Sequence, residues 1–276
     1  MKISVFFDHV KQASVEESCS IEKILDSIKK AGISGIEMED RDLFDKDYDY
    51  LEMIKKSGMK ISCVYGFYTL SKEDEIKRAY KTVDFAKEND IKNLMFIPGF
   101  LNSLELKIPF LAKRKADKYL EGLSKVVDYA KENGICMLLE DFDNRIAYFS
   151  TSKGLSYFID NIKDLYCTFD TGNFLYSEED ALTVLPLFLK KIKHVHLKDR
   201  SLSDLSKNKE EKPLLTIKGR ELFSSPVGFG CIPMKEIIQD ILETGYDGYF
   251  AIEHFGSVEM LSFMLKSAEF LSQYSE

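Results

Sequence analysis

The sequence predicts a single-domain (β/α)8 barrel, and three observations lead to this fold class. Short apolar runs alternate with longer amphipathic stretches along the chain, which is typical of parallel βαβ units. Eight such pairs can be distinguished. The 276 residues are close to the roughly 250 of a one-domain barrel, so a single domain over residues 1–276 accounts for the length. The alternative is an open doubly wound sheet, but no GxGxxG follows the first apolar run.

The strand-like runs carry no internal proline. We predict strands at residues 2–7, 34–38, 60–65, 93–97, 135–140, 166–170, 193–197 and 248–253. The stretches between them have apolar residues at three- and four-residue spacing and end in Gly or Asn, as amphipathic helices do. A right-handed crossover repeated eight times closes such units into a barrel that has no exposed edge.

One stretch, residues 199–231, lacks both patterns. It is charged and contains prolines and closely spaced glycines, so we predict a long loop after the seventh strand. Loops that follow barrel strands leave at the face where ligands bind. The stretch is therefore expected either to lie over a substrate, with Gly228 and Gly230 allowing close approach of the backbone, or to be a solvated insertion.

Composition excludes several classes of function. The formal net charge of -8, without a clustered basic face, disfavours a nucleic-acid partner. The five cysteines are widely spaced and form no CxxC pair, which indicates reduced thiols. No apolar stretch approaches the ~18 residues of a membrane span, and a strand-like run follows Met1 directly. We therefore expect a cytoplasmic protein with neither a membrane nor a nucleic-acid partner.

Four of the predicted strands end on residues that can bind a metal: Glu140, Asp170, His196 and Glu253. Because parallel barrel strands end at one face, these side chains are expected to converge there. Three carboxylates and one imidazole suit a single divalent cation with open positions for an oxygen-rich substrate. Taken singly, each carboxylate could instead pair with a cation or cap a helix, and the DTGN that begins at Asp170 resembles a turn. The set of four together favours a metal site.

The fragments around these residues resemble a known family. LLED, FDTGN, HVHLKD and VGFGCIPMKEIIQDILETGYDGYFAIE, in this order, are similar to the xylose isomerase-like barrel superfamily, in particular its sugar phosphate isomerase/epimerase branch. The resemblance implies one divalent ion (Mn, Mg, Co or Zn) held by Glu140, Asp170, His196 and Glu253. It further implies that Glu140 and Glu253 act as acid and base on a small sugar, sugar phosphate or polyol ketone. Proton abstraction next to the carbonyl would then give a metal-stabilised enediolate.

Isomerisation or epimerisation is the leading expectation, and two alternatives stay open. The same metal and bases can expel a β-hydroxyl group, as in inosose dehydratase-like relatives. A non-catalytic sugar-binding barrel would keep ligand affinity without exchanging a carbon-bound proton. The sequence leaves open the substrate, its phosphorylation and the oligomeric state, a homo-oligomer included.

Three further residues are predicted to bind substrate. Lys198, at the barrel rim, is expected to neutralise an enediolate or hold a phosphate, or else to form an exposed ion pair with Asp199. Asn173 stands where many relatives carry a histidine, and an amide cannot shuttle a proton near neutral pH. His9 is expected to face substrate hydroxyls, with Glu39 as a secondary candidate for a hydroxyl or cationic group.

The other residues near these motifs have structural or weaker expectations. The family motif places the ligand at the second histidine of HVH, so His194 is expected to pack one layer lower in the barrel. His254 should point away from its neighbour Glu253 because successive strand residues face opposite sides. Aromatic residues after the third and fourth strands are expected either to wall the substrate pocket or to pack in the core; they are Tyr65, Phe67, Tyr68, Phe96 and Phe100.

Overall fold

A computed structural model describes residues 1–274 and confirms a closed barrel of eight parallel strands surrounded by helices. The barrel strands are β1 (Lys2–Phe6), β2 (Gly35–Glu39), β3 (Lys60–Phe67), β4 (Asn93–Ile97), β5 (Cys136–Leu139), β6 (Leu165–Asp170), β7 (Ile192–Leu197) and β11 (Tyr249–Ile252). Each strand pairs with its neighbours in chain order, and β11 closes the barrel against β1. The strand positions agree with the sequence prediction to within one or two residues at each end.

The amphipathic stretches form helices outside the barrel. They are α1 (Phe7–Glu16), α2 (Ile21–Lys30), α3 (Asp40–Leu43), α4 (Tyr50–Lys56), α5 (Glu73–Glu88), α6 (Pro109–Glu132), α7 (Ser152–Asn161), α8 (Ala181–Phe188), α9 (Met234–Glu243) and α10 (Met260–Leu271). Short 3₁₀ segments lie at 105–107, 173–177, 189–191 and 272–274. Gly134 and Gly245 follow α6 and α9 with φ of 74° and 81°, the left-handed conformation that ends a helix. Among residues 1–274, no helix is both long and apolar enough to cross a bilayer.

The period of two along each strand decides which residues enter the barrel. Leu138 on β5 and Ala251 on β11 belong to a small apolar cluster, separate from the main core. Glu140 and Glu253 come two residues after Leu138 and Ala251, so their side chains point to the same side, into the barrel. The β6–β7 pairing sets Asp170 beside His196. The four predicted metal ligands therefore share one layer above an apolar floor.

The stretch 199–231 differs from the predicted loop because part of it forms a sheet. Three short antiparallel strands, β8 (Asp199–Ser201), β9 (Leu214–Leu215) and β10 (Glu221–Ser225), pair in the order β8-β10-β9. The sequence did not mark them, because DRS and ELFSS carry charged and polar residues where the barrel strands have apolar runs, and LL has only two residues.

Asp199 anchors the end of this insertion. Its carboxylate accepts backbone N–H groups from Gly228 and Gly230, each at 2.9 Å, and from Ile232 at 3.3 Å. A Cβ on Gly230 would lie 2.1 Å from Asp199 Oδ1 and 2.3 Å from the carbonyl oxygen of Arg200. The G-x-G spacing thus lets the backbone wrap a buried carboxylate. Asp199 is 1% exposed, so the expected exposed ion pair with Lys198 is wrong.

Candidate metal centre

Glu140, Asp170, His196 and Glu253 converge on one point at the carboxyl ends of the strands. Each offers a ligand atom, and these atoms all lie within 4.8 Å of one another. His196 Nδ1 is 2.9 Å from Glu140 Oε2, 3.2 Å from Glu253 Oε2 and 3.9 Å from Asp170 Oδ2. Three carboxylate oxygens therefore surround one imidazole nitrogen, a donor set that suits a divalent cation.

The two oxygens of Asp170 have different roles. Oδ1 accepts the backbone N–H groups of Gly172 and Asn173, each at 2.7 Å, so the turn-capping interpretation is correct for this atom. Oδ2 is buried and has no hydrogen-bond partner among the described residues. A buried carboxylate oxygen without a partner is costly, and a cation in the cluster would remove that cost.

Negative charge is crowded in this cluster. Burial, together with the charges of Glu253 and Glu140, raises the pKa of Asp170 to about 8 against the opposing charges of Lys198 and His196. Burial likewise raises the pKa of Glu140. Burial also opposes ionisation of Glu253, but Lys198 and His196 outweigh this effect and hold the Glu253 pKa below its usual value. Such crowding is the electrostatic condition under which a bound cation stabilises the ionised forms.

Glu37 contacts Nε2 of His196, on the side of the ring away from the three carboxylates, and the sequence analysis missed this glutamate. It is fully buried on β2, and its carboxylate accepts from His196 Nε2 at 3.1 Å and from His194 Nε2 at 2.7 Å. With the hydrogen of His196 on Nε2, the lone pair of Nδ1 faces the three carboxylates. Burial opposes ionisation of Glu37, but its interactions with the two imidazoles outweigh this effect and lower the pKa of Glu37 to about 2. The first glutamate of the strand GIEME, between Ile36 and Met38, was the available signal.

His194 occupies the expected position one layer below His196. The β6–β7 pairing sets it beside Thr168, two residues before the pair that contains Asp170. It is fully buried, and its Nε2 bonds to Glu37.

Lys198 is a buried cation within the cluster. Its Nζ lies 2.5 Å from Glu253 Oε1, 3.5 Å from Asp170 Oδ2 and 3.6 Å from Asp143 Oδ2. It also donates to Asn173 Oδ1 at 2.5 Å. These carboxylates raise the pKa of Lys198 even though burial opposes its charge. The lysine is therefore charged, positioned and already paired.

Asn173 and Lys198 line the cavity, but Asn173 is held rigidly. Its Nδ2 donates to the carbonyl oxygen of Asp141 at 2.9 Å while its Oδ1 accepts from Lys198. The amide thus orients the lysine. An amide held in this way cannot transfer a proton near neutral pH.

His9 lies behind the cavity wall, contrary to the expectation that it faces substrate hydroxyls. It is fully buried, and its Nε2 accepts the backbone N–H of His254 at 2.7 Å. The rings of Phe6 and Phe255, which line the cavity, pack on it at 5.4 and 4.6 Å. Burial lowers the pKa of His9 to about 4. His254 points away from Glu253, as expected, and its Nε2 bonds to Ser267 at 2.9 Å.

A cavity of about 480 Å³ opens above the cluster. Glu140 and Glu253 line it, while Asp170 and His196 are fully buried beneath. Glu39 also lines it, as the secondary prediction proposed. The sequence analysis missed eight residues that line the cavity, because no motif marks them: Phe6, Asp8, Arg41, Met95, Ile97, Phe142, Asp143 and Phe255.

The aromatic residues after β3 and β4 divide between the two expected roles. Tyr65 and Phe67 line the cavity. Tyr68 and Phe96 are buried and pack on each other at 4.4 Å in the main core. Phe100 packs behind Phe67, at 6.2 Å.

Comparisons with known proteins agree with the fold. The sequence family described as xylose isomerase-like TIM barrel matches residues 25–274. The inosose dehydratase of Geobacillus thermodenitrificans is 26% identical over 252 residues, which cover 85% of this chain and 82% of that protein.

Two solved structures share the fold. A crystal structure of the IOLI protein with a bound zinc atom aligns with a TM-score of 0.74 at 16% identity and covers 100% of this chain and 98% of that one. A structure of L-ribulose 3-epimerase aligns with a TM-score of 0.70 at 17% identity, covering 99% and 94%. Because the family match extends over most of the described barrel, the chain belongs to the xylose isomerase-like TIM barrel family.

Proposed function

We propose that this protein is a divalent-metal-dependent dehydratase of a polyhydroxylated ketone of the inosose type. The observation that carries the proposal is the convergence of three carboxylates and one imidazole, within 4.8 Å of one another, at the base of a cavity. The similarity to an inosose dehydratase over 252 residues favours loss of water over isomerisation. The dehydratase alternative is therefore better supported than the leading sequence expectation of an isomerase or epimerase.

A divalent cation fits the donor set. Glu140, Asp170, His196 and Glu253 would hold it, and the Oδ2 of Asp170, which has no hydrogen-bond partner among the described residues, would gain a second positive charge beside Lys198 Nζ at 3.5 Å. When bound, the ion would supply Lewis-acid stabilisation for the negative charge that develops on the substrate carbonyl oxygen, an effect of several kcal/mol. The zinc of the IOLI structure is consistent with this, and Mn, Mg and Co remain candidates.

The side chains around the cavity can carry the proton transfers. Glu140 or Glu253, both on the cavity wall, would remove the proton from the carbon next to the carbonyl. The electron pair of that C–H bond forms the enolate double bond. As the carbonyl re-forms, the β C–O bond breaks, and the departing hydroxyl takes up a proton and leaves as water. The reaction needs no oxidant or reductant. Lys198, 2.5 Å from Glu253 Oε1, would stabilise the negative charge near that carboxylate.

Epimerisation is the second candidate, and the arrangement of the two glutamates favours it. Glu140 and Glu253 both approach His196 Nδ1, at 2.9 and 3.2 Å, and both line the cavity. Inverting a carbon requires one group to remove a proton and another to return it. Two carboxylates on the same cavity meet this requirement.

Metal content is the first test. Elemental analysis of the purified protein should show about one divalent ion per chain, and His196→Ala should lower the occupancy after dialysis. Glu140→Gln and Glu253→Gln should weaken binding as well. Glu75→Gln, which removes a carboxylate outside the cavity, serves as the control. Full occupancy in the His196→Ala variant would refute the site.

Product analysis then separates the chemistries. The metal-loaded protein is incubated with inososes, ketoses and sugar phosphates in heavy water. Dehydration gives an unsaturated product that absorbs in the ultraviolet, whereas epimerisation conserves the formula and incorporates deuterium. Absence of both reactions with every substrate would leave a sugar-binding barrel and overturn the proposal.

A further inference from the structure

The wall of the cavity opposite the metal cluster is where a proton donor for the leaving hydroxyl is needed. Hydroxide is a poor leaving group, and a general acid that protonates the oxygen as its C–O bond breaks typically speeds such a step by about 10²–10⁴-fold. The β-carbon is two bonds from the carbonyl carbon, so its hydroxyl lies away from a carbonyl oxygen held at the metal cluster. The acid is therefore expected across the cavity.

The side chains on the metal side are already committed. Glu140 and Glu253 would hold the cation, and one of them removes the α-proton. Lys198 contacts Glu253 Oε1 at 2.5 Å, and the carboxylates around it raise its pKa although burial opposes its charge. An ammonium with a raised pKa is a weak acid. Asp143 Oδ2 lies 3.0 Å from Arg200 Nη2 and 3.6 Å from Lys198 Nζ, so two cations favour its ionised form.

Glu39 lies on the wall opposite this cluster. Its strand, β2, is four strands from β6 in either direction around the barrel. Two residues earlier, Glu37 contacts Nε2 of His196 at 3.1 Å. The period of two along a strand sends Glu39 to the same side, roughly 7 Å nearer the mouth. Glu39 lines the cavity, and 13% of its side chain is exposed. Its carboxyl group therefore lies across the cavity from the metal ligands and nearer the mouth.

One aromatic ring separates the two walls. Tyr65 stands beside Glu39 in the pairing of β2 with β3. The Phe6 ring lies 4.9 Å from the ring of His196 and 5.4 Å from the ring of Tyr65. A six-membered ring that lies over Phe6 would thus reach the metal cluster with one edge and Glu39 with the other.

The neighbours of Glu39 on this wall are poor proton donors. Tyr65 donates its hydroxyl to Asp8 Oδ2 at 2.5 Å, and burial together with the charge of Asp8 raises the pKa of Tyr65. Burial opposes ionisation of Asp8, but Lys11 and Tyr65 outweigh this effect and hold the Asp8 pKa below its usual value. Arg41 keeps its proton at any working pH. Glu39 is therefore the best placed acid of this group.

Glu39 can carry a proton near neutral pH. Burial and nearby carboxylates raise its pKa to about 7; these carboxylates belong to Asp8, Asp40 and Asp42. A general acid is most effective when its pKa is near the working pH. Arg41 opposes the rise from a distance of 2.7 Å, but its side chain is 66% exposed, so solvent screens its charge.

A bound cation on the metal side is compatible with a protonated Glu39. The charge of a divalent ion and of Lys198 is balanced by the three carboxylates of Glu140, Asp170 and Glu253, so these groups together carry no net formal charge. Their combined Coulomb effect on a carboxyl group across the cavity is accordingly much smaller than that of a bare ion.

We propose that Glu39 is the general acid of the dehydration and protonates the leaving β-hydroxyl from the wall opposite the metal cluster. Its O–H bond gives the proton to the β-oxygen while the C–O bond breaks with its electron pair on oxygen, and water leaves. Arg41, at 2.7 Å, then stabilises the Glu39 carboxylate until solvent returns a proton. The α-proton passes from the metal-side glutamate to solvent. This inference rests on the proposed function and adds a catalytic residue to it.

Substitution of the leaving group tests the inference. Glu39→Gln keeps the size of the side chain but removes its acidic proton, and should lower kcat of the metal-loaded protein for 2-keto-myo-inositol about 10²-fold with little change in KM. Fluoride needs no proton to leave, so the analogue with fluorine in place of the β-hydroxyl should release fluoride at nearly the wild-type rate. In heavy water the variant should still incorporate deuterium at the α-carbon, because the enolate forms and is reprotonated.

The dependence on pH gives a second measurement. Because the acid must be protonated, wild-type kcat/KM should fall above a pKa near 7, and this alkaline limb should be missing in Glu39→Gln. Arg41→Gln removes a cation that favours the carboxylate, so it should move the limb to higher pH. Carbon NMR of labelled glutamate in the metal-free protein should report the same shift of the Glu39 pKa without turnover.

Two variants keep the result interpretable. Arg41→Gln replaces Glu39→Gln if the latter does not fold, since its effect on the alkaline limb needs an intact Glu39. Glu75→Gln breaks a contact outside the cavity, with Arg78 at 3.1 Å, and should leave the pH profile and both rates unchanged.

The outcomes separate this inference from the proposed function. Three results overturn the inference and leave the dehydratase standing: wild-type water loss in Glu39→Gln, an equal fall in rate with the hydroxyl and fluoro substrates, or a fall that lost metal accounts for. An unmoved limb in Arg41→Gln does the same. If the wild-type protein removes no water from the inosose, the proposed function is overturned and the inference with it.

Discussion

Replacing Glu37 by Gln should weaken metal binding although Glu37 is not one of the four ligands. Its carboxylate fixes the tautomer of His196 through the 3.1 Å contact at Nε2 and makes the imidazole a stronger donor at Nδ1. Gln has nearly the same volume but carries no charge, and its amide can present a donor to Nε2. Loss of such a carboxylate partner typically lowers metal affinity by about 10- to 100-fold. This corresponds to about 1.4–2.8 kcal/mol of binding free energy.

The assay is equilibrium dialysis of the metal-free protein against Mn²⁺ or Zn²⁺ at fixed pH, with a thermal melt of each variant. Glu39→Gln is the matched control, because Glu39 lies on the same strand two residues later and pairs with Arg41 instead of a histidine. Wild-type affinity in Glu37→Gln would show that the His196 contact does not control the metal. An equal loss of metal affinity in Glu39→Gln would show that the change in net charge causes the effect, and not the contact with His196.

Three more predictions follow from individual contacts. The pKa of His9 is about 4 in the folded state and ~6.5 in the unfolded state, so the unfolded state binds more protons between these pH values. The free energy of unfolding should therefore be unaffected by His9 above pH 6.5 and should fall by about 3 kcal/mol as the pH drops to 4. Urea titrations at several pH values should show a smaller fall in His9→Gln. Gly230→Ala places a Cβ 2.1 Å from the Asp199 carboxylate and should cost about 1–3 kcal/mol in chemical denaturation, whereas an unchanged midpoint would mean that the insertion can shift at no cost. Lys198→Gln should lower kcat about 10²-fold while at least part of the metal is retained, since the variant removes the positive charge beside Glu253, and wild-type turnover would rule out that role.

Much of the barrel could be predicted because its signals are local. The short apolar runs of the strands and the helices ending near Gly or Asn can each be recognised in a short segment of sequence, and the parallel topology brings all strand ends to one face. The grouping of Glu140, Asp170, His196 and Glu253 followed from that topology, with the family motif choosing His196 over His194. The insertion was predicted less well, since its strands are two to five residues long and are held by a carboxylate, Asp199, that binds the loop backbone.

The sequence by itself determined the barrel and the end of it at which the metal-binding side chains meet, because each strand and its last residue can be recognised without knowing its neighbours. Tertiary structure alone decided which partners these side chains have. Glu37 and His194 are 157 residues apart in the chain, and only the closed barrel brings them to 2.7 Å. Likewise, the rings of Phe6 and Phe255 cover His9, and Arg41 pairs with Glu39 at 2.7 Å on the cavity wall. Such contacts depend on strand register and ring packing, which no local pattern encodes.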